Sequence, residues 1–174
     1  MRGTAAAALI GAGLLLAGCG TGSITGKADA EGAAAGEPAF SPCDDIPDSA
    51  LIELGLDPAT ERRDIMGVKQ PGWKICKWRG DGPFVSVLAT THTLDEVRAN
   101  QKNIEFQDVS IDGRDAFQYR ETTDVDRTSC DVAVGSDGGA VLVSISDLGG
   151  AAPIEDPCGL AVQATTTLAP FIPA

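Results

Sequence analysis

Four cysteines, Cys43, Cys76, Cys130 and Cys158, limit the folds open to this chain more than any other feature, because they follow a leader that directs it out of the cytoplasm. After Met1-Arg2, an uncharged run from Ala5 to Leu16 has the length of a signal-peptide core. It falls short of the roughly 20 apolar residues that a membrane-spanning helix needs. In an exported chain an even number of cysteines reads as a disulfide framework, here two bridges. Zinc would need close pairs such as C-x-x-C, and the spacings of 33, 54 and 28 residues provide none. Three connectivities are possible. In Ser41-Pro42-Cys43 and Asp156-Pro157-Cys158, a capping residue and a first-turn proline precede the cysteine, so Cys43 and Cys158 are expected in the first turns of helices. Cys76 and Cys130 lie in strand-like runs. The helix-to-strand pairs Cys43–Cys76 and Cys130–Cys158 close the shortest loops and are preferred, with the crossed pairing Cys43–Cys158 and Cys76–Cys130 as the alternative.

The fifth cysteine has a different role. Leu16-Ala17-Gly18-Cys19 resembles the bacterial lipobox, in which the cysteine thiol is acylated and the signal peptidase cuts before it. The resemblance implies a signal peptide over residues 1–18 and a mature N-terminus at Cys19 carrying diacylglycerol and an amide-linked acyl chain such as palmitate. Each buried CH₂ contributes about 0.8 kcal/mol and one chain alone holds only marginally, so two or more are needed. Residues 19–40 read as the lipidated cysteine and a tether: residues 20–40 hold five Gly and six Ala with no apolar periodicity. A flexible segment of that length reaches roughly 25 Å. Residues 41–174 then form a single globular domain.

Within that domain a first helix is expected from Pro42 to Leu54, stopping at Gly55, and Asp57 to Asp64 reads as a turn and charged connector. Trp73 to Trp78 and Pro83 to Thr90 read as strands, the latter with Val85, Val87 and Ala89 on one face. Thr93-Leu94-Asp95-Glu96 is a capping box opening a middle helix of about ten residues that ends near Asn103. Glu105–Ile111 and Arg114–Glu121 make a hairpin about Asp112-Gly113, and Cys130–Val134 pairs with Val141–Ser146 in a second. A last helix runs from Pro157 to about Ala169. The expected fold class is α+β: a curved, mainly antiparallel sheet of about five to six strands packed with N-terminal, middle and C-terminal helices and held by two disulfides.

Charge and chemistry narrow the function. With 25 Asp and Glu against 13 Lys and Arg the chain carries −12, which argues against nucleic acid, whose phosphates need clustered cations. Its single histidine, His92, precedes a helix cap and suits packing better than catalysis, and no G-x-S-x-G elbow occurs. Asp124, Asp126 and Asp131, with Glu121 nearby, lack the glycine turn of a calcium loop and read as a solvated loop. Trp73 and Trp78, five residues apart, fall on opposite faces of one strand, so at most one faces a ligand. No residue set calls for a cofactor or a metal, and no catalytic residues are assigned.

The segments Pro42-Cys43, Cys76-Lys77-Trp78, Val109-Ser110-Ile111-Asp112-Gly113-Arg114, Cys130-Asp131-Val132 and Pro157-Cys158-Gly159-Leu160-Ala161 resemble the actinobacterial lipoprotein family that includes the mycobacterial LprB and LprC proteins. Its domain is of unknown function. The resemblance implies a lipoprotein on the extracytoplasmic face of the cell membrane and brings no catalytic residues with it. The expectation is a non-enzymatic module that joins the membrane through its lipid and binds an envelope protein or a small molecule. An envelope hydrolase using carboxylates and a structural or antigenic surface protein are the alternatives. An exposed apolar groove would favour the binding module, and a carboxylate pair in a cleft would favour the hydrolase.

Overall fold

The structure, a computed structural model, describes residues 36–80, 82–147 and 154–174. Leu16, Ala17, Gly18, Cys19 and the tether up to residue 35 lie outside the described residues. The order of elements is α1 (Pro42–Asp45), α2 (Asp48–Glu53), β1 (Leu56–Arg63), β2 (Trp73–Gly80), β3 (Phe84–Thr90), α3 (Leu94–Ala99), β4 (Asn103–Ile111), β5 (Arg114–Glu121), β6 (Ser129–Ser136), β7 (Gly139–Ser146) and α4 (Pro157–Leu168), with a closing 3-10 turn at Ala169–Phe171. The seven strands form one sheet in the order β1-β2-β3-β7-β6-β5-β4, antiparallel at every step.

Alternation along the strands separates two apolar faces. Trp78, Val85, Val87, Val132, Val134, Val141, Val143 and Ile145 point to the first face and join Leu51, Ala161, Ala164 and Leu168 from α2 and α4 in the main core. On the second face Phe117, Tyr119, Ala133 and Leu142 pack with Val97 of α3. Because β6 and β7 have cover on both sides, Cys130 to Val134 is buried without interruption and shows no polar alternation. No helix among the described residues is long and apolar enough to cross a membrane.

The sheet has one strand more than the upper expectation, and that strand is β1, where the sequence suggests a turn and connector. An edge strand has little to bury, so Asp57, Arg62 and Arg63 stay exposed and no alternation is visible. Its missing amide makes Pro58 acceptable only at such an edge. The pairing with β2 shifts register between Asp57 and Arg62, and there the Arg79 N–H donates to Thr60 Oγ1 at 3.0 Å in place of a carbonyl.

The first helix is also two short ones. Pro47 disfavours helical backbone in the residue before it, and Ile46 is extended (φ −85°, ψ 118°), so the helix breaks and restarts at Asp48. Ser41 makes no side-chain bond to the helix amides; its own N–H donates to Asp45 Oδ2 at 2.7 Å. The chain does leave α2 through Gly55 at φ +71°, where a Cβ would be strained. The capping box of α3 is formed, with Glu96 N–H donating to Thr93 Oγ1 and Thr93 N–H to Glu96 Oε2. That helix is only six residues long, because Asn100 turns extended (φ −67°, ψ 118°) and the buried Asn103 side chain donates to the Val97 carbonyl.

Both disulfides tie a helix to a strand on the first face. Cys43 in α1 joins Cys76 in β2, and Cys158 in α4 joins Cys130 in β6. Arg114 secures the far end of α4, donating to the carbonyls of Ala169 and Ile172 at 3.2 and 3.3 Å. Replacing Cys130 and Cys158 together by alanine is expected to lower stability by about 3.5 kcal/mol, on the loop-closure entropy of a bridge of this span. The measurement is the denaturant midpoint at unchanged slope; a midpoint equal to that of the parent would show that the bridge contributes nothing.

Candidate functional site

The residues between β1 and β2 build the most exposed apolar feature of the domain. Asp64 N–H donates to the Ile75 carbonyl, closing the base of the loop, and Ile65-Met66-Gly67-Val68 folds into a tight turn with a Val68 N–H to Ile65 C=O bond of 3.0 Å. Met66 (φ 55°) and Gly67 (φ 77°) both occupy the left-handed region. Glycine does so freely, whereas an unbranched apolar residue there sacrifices about 1 kcal/mol of backbone energy. Met66 is 98% exposed, Val68 61% and Ile65 48%. The tip therefore holds an apolar residue where neither backbone preference nor burial asks for one.

Behind the tip lies a groove of about 300 Å³ on the second face, lined by Ile65, Gln70, Pro71, Trp73, Ile75 and Leu88. Trp73 is half-buried there and stacks at 5.7 Å on His92, whose Nδ1 lies 3.7 Å from Glu96 Oε2 at the start of α3. His92 thus anchors the cap and the groove wall to each other. Trp78, on the opposite side of the strand, is 2% exposed and belongs to the core.

The base of the same hairpin is tied to α1. Arg63 donates to Asp44 Oδ1 at 2.9 Å, to Glu61 Oε1 at 3.0 Å and to the Cys43 carbonyl at 3.3 Å. The guanidinium, with the Ser41 hydroxyl, holds the Asp44 carboxyl down to about 2. These groups border a polar cleft of about 370 Å³ that also takes in Glu37, Lys69, Trp73 and Lys74. Cys43, Cys76 and Glu61 form the sole cluster of three metal-type ligand residues among the described residues, and the two sulfurs are bonded to each other, which leaves no thiolate to coordinate. Two other grooves are less distinctive. One of about 350 Å³ lies between α2 and α4, lined by Leu54, Val85, Leu160 and Gln163. The other, about 390 Å³, lies beside α3, where Arg98 stacks 4.2 Å from the Phe117 ring centroid.

The acidic residues singled out from sequence take different roles. Asp124 accepts from Arg120 and from the amides of Thr128 and Ser129, which fixes it as a loop brace and lowers its pKa against the opposing effect of burial. Asp131 is buried on the second face between Tyr119 and Ser144 across the sheet, and the charges of Glu121 and Asp124 reach it. Burial raises its carboxyl to about 7, against a hydrogen bond from Ser144 that favours the ionised form. Burial, with Asp131 and Glu121 adding to it, pushes the Tyr119 phenol up as well. Asp131 lines none of the four grooves; carboxylates share a cleft at Asp95, Asp108 and Asp115 beside α3 and at Glu37, Asp44 and Asp64 by the base of the hairpin.

A family model described as protein of unknown function (DUF3558) matches residues 14–170. The chain belongs to the DUF3558 family. No curated protein and no solved structure matches it. The DUF3558 match takes in Cys19, all four disulfide cysteines and the whole β1–β2 hairpin. The hairpin tip is the candidate feature that the sequence pattern hides. Its signal is Ile-Met-Gly-Val, two β-branched residues about a Met-Gly turn, set inside a charged run that conceals a hairpin as a connector.

Asp131 gives this DUF3558 domain a defined pH response. With its folded pKa raised to about 7 from 3.8, the native state binds more protons than the unfolded chain between those values. Stability is therefore highest below about pH 4 for this group and falls as pH rises through 7, by up to about 4 kcal/mol. Asp131→Asn is expected to remove that slope and to be the more stable form at pH 8. Urea unfolding of both proteins at pH 4.5 and 8 measures it, and equal pH slopes in the two would rule out Asp131 as the source.

Proposed function

We propose that this chain is a non-enzymatic, lipid-anchored module of the cell envelope, held at the extracytoplasmic face of the membrane by acyl chains on Cys19 and engaging its partner through the β1–β2 hairpin. The observation that carries the binding role is the exposed tip of Ile65, Met66 and Val68 in front of the Trp73 groove: an apolar protrusion with no fold-stabilising purpose. The lipobox resemblance of Leu16 to Cys19 supports the anchor, and the resemblance of the cysteine-bearing segments to LprB- and LprC-type lipoproteins supports an actinobacterial setting. The carboxyl raised toward neutrality, Asp131, lies outside the clefts that hold Asp95, Asp108 and Asp115 or Glu37, Asp44 and Asp64, which weighs against a carboxylate hydrolase.

Metabolic labelling with palmitate tests the anchor. In a host that processes bacterial lipoproteins, the wild-type chain takes up label and fractionates with membranes. Cys19→Ala takes up none and remains unprocessed or reaches the medium. Label retained in Cys19→Ala, or absent from the wild type, would overturn the lipid anchor.

A further inference from the structure

Charge is distributed unevenly around the hairpin. Between Leu56 and Gly80 the chain places six of its 13 Lys and Arg and three of its 25 Asp and Glu, so this segment carries +3 and the remainder −15. Arg63 is engaged by Asp44 and Glu61, but Arg62, Lys69 and Lys74 make no ion pair within 4 Å among the described residues. Lys77 and Arg79 lie toward the other end of β2 and Asp64 borders the tip, so around the apolar turn the three unpaired cations Arg62, Lys69 and Lys74 outnumber one unpaired carboxylate, on an otherwise acidic protein.

We propose that the β1–β2 hairpin is a membrane contact in its own right, inserting Ile65, Met66 and Val68 into the interface of an anionic bilayer while Arg62, Lys69 and Lys74 meet the headgroups. Shape supports lipid as the occupant. Three side chains on one tight turn are far too small for a stable protein interface, which covers about 800 Å² on each partner. They match the shallow insertion of an interfacial element, about 5–10 Å deep. A second copy of the chain would bring its own acidic bulk against the first.

The start of the described chain points the same way. Glu37 lines the cleft that Lys69, Lys74 and Trp73 share, so the described chain begins beside the hairpin. The two other turns at this end of the sheet, Asp112-Gly113 and Asp137-Gly138, carry carboxylates and lie on strands farther from the β1 edge. The contact is accordingly made by one corner. Val125 is a useful contrast: it is 82% exposed, but it stands alone between Asp124 and Asp126 and has no cationic collar.

The inference takes its orientation from the anchored-module reading but not its chemistry, so the two are separable in one experiment. The full chain carrying Cys19→Ala, which cannot be acylated, is mixed with vesicles of phosphatidylcholine alone or with added phosphatidylglycerol, and hydrogen exchange is followed peptide by peptide. Exchange across residues 64–72 is expected to slow about tenfold with the anionic vesicles only, and to recover in Met66→Asp and in Lys69→Glu. Because Met66 is exposed at a left-handed position that aspartate tolerates better, Met66→Asp is expected to keep the parent's thermal midpoint. Unchanged exchange of the hairpin with both vesicle types overturns the proposal, as does protection that persists in Met66→Asp. A Met66-dependent cross-link to an envelope protein in intact cells, without vesicle protection, would replace lipid by protein as the occupant and leave the module reading intact. Loss of palmitate labelling in the wild type alongside hairpin protection would do the reverse.

Discussion

The two helix-to-strand disulfides are the constraint on which the rest of the architecture rests. Cys76 and Cys130 must both face the side of the sheet covered by α1 and α4, and side chains alternate strictly along a strand. Once Cys76 points inward, Trp78 follows it into the core, and Trp73 and Ile75 are forced to the other face, where they become the wall of the groove. A one-residue slip of β2 would bury Trp73 and Lys77 and expose Trp78 and the bridge. The groove face is in this sense a consequence of where the sulfur is needed.

Much of this was legible from residue types alone. Proline after a capping residue located Cys43 and Cys158 in first turns, the Thr93/Glu96 box located α3, and Asp112-Gly113 located a hairpin. What escaped was tertiary in origin. β1 has no alternation because it is an edge with one neighbour, and its pairing depends on a threonine hydroxyl standing in for a carbonyl. The end of α3 escaped because Asn103, apolar in neither pattern nor type, lies three residues beyond the C-cap Asn100 and is buried to satisfy the carbonyl of Val97 in the last turn. The separation of Asp124 from Asp131, seven residues apart, follows from one bracing a loop and the other entering a covered strand.

The acidity of the chain takes on a different meaning once it is mapped. A uniform −12 would keep the domain away from any anionic bilayer, whereas +3 on one hairpin and −15 elsewhere would turn that hairpin toward such a surface. Under the proposed contact, repulsion of the bulk and attraction of the corner would act together as a torque rather than as adhesion.

The Cys43–Cys76 bond also decides how the molecule would bear tension. Residues 43–76 lie inside the covalent loop it closes, and that loop contains α1, α2, β1 and the hairpin tip. A pull on the chain N-terminal to Gly36 therefore reaches Cys43 and crosses directly to β2, which is held to β3 by seven register pairs from Trp73 to Arg79. The edge strand, the element easiest to peel, is spared. Load passing between the N-terminal segment and a hairpin in contact with a surface would travel through a handful of residues and one covalent link, touching the main core at Phe40 and Cys76.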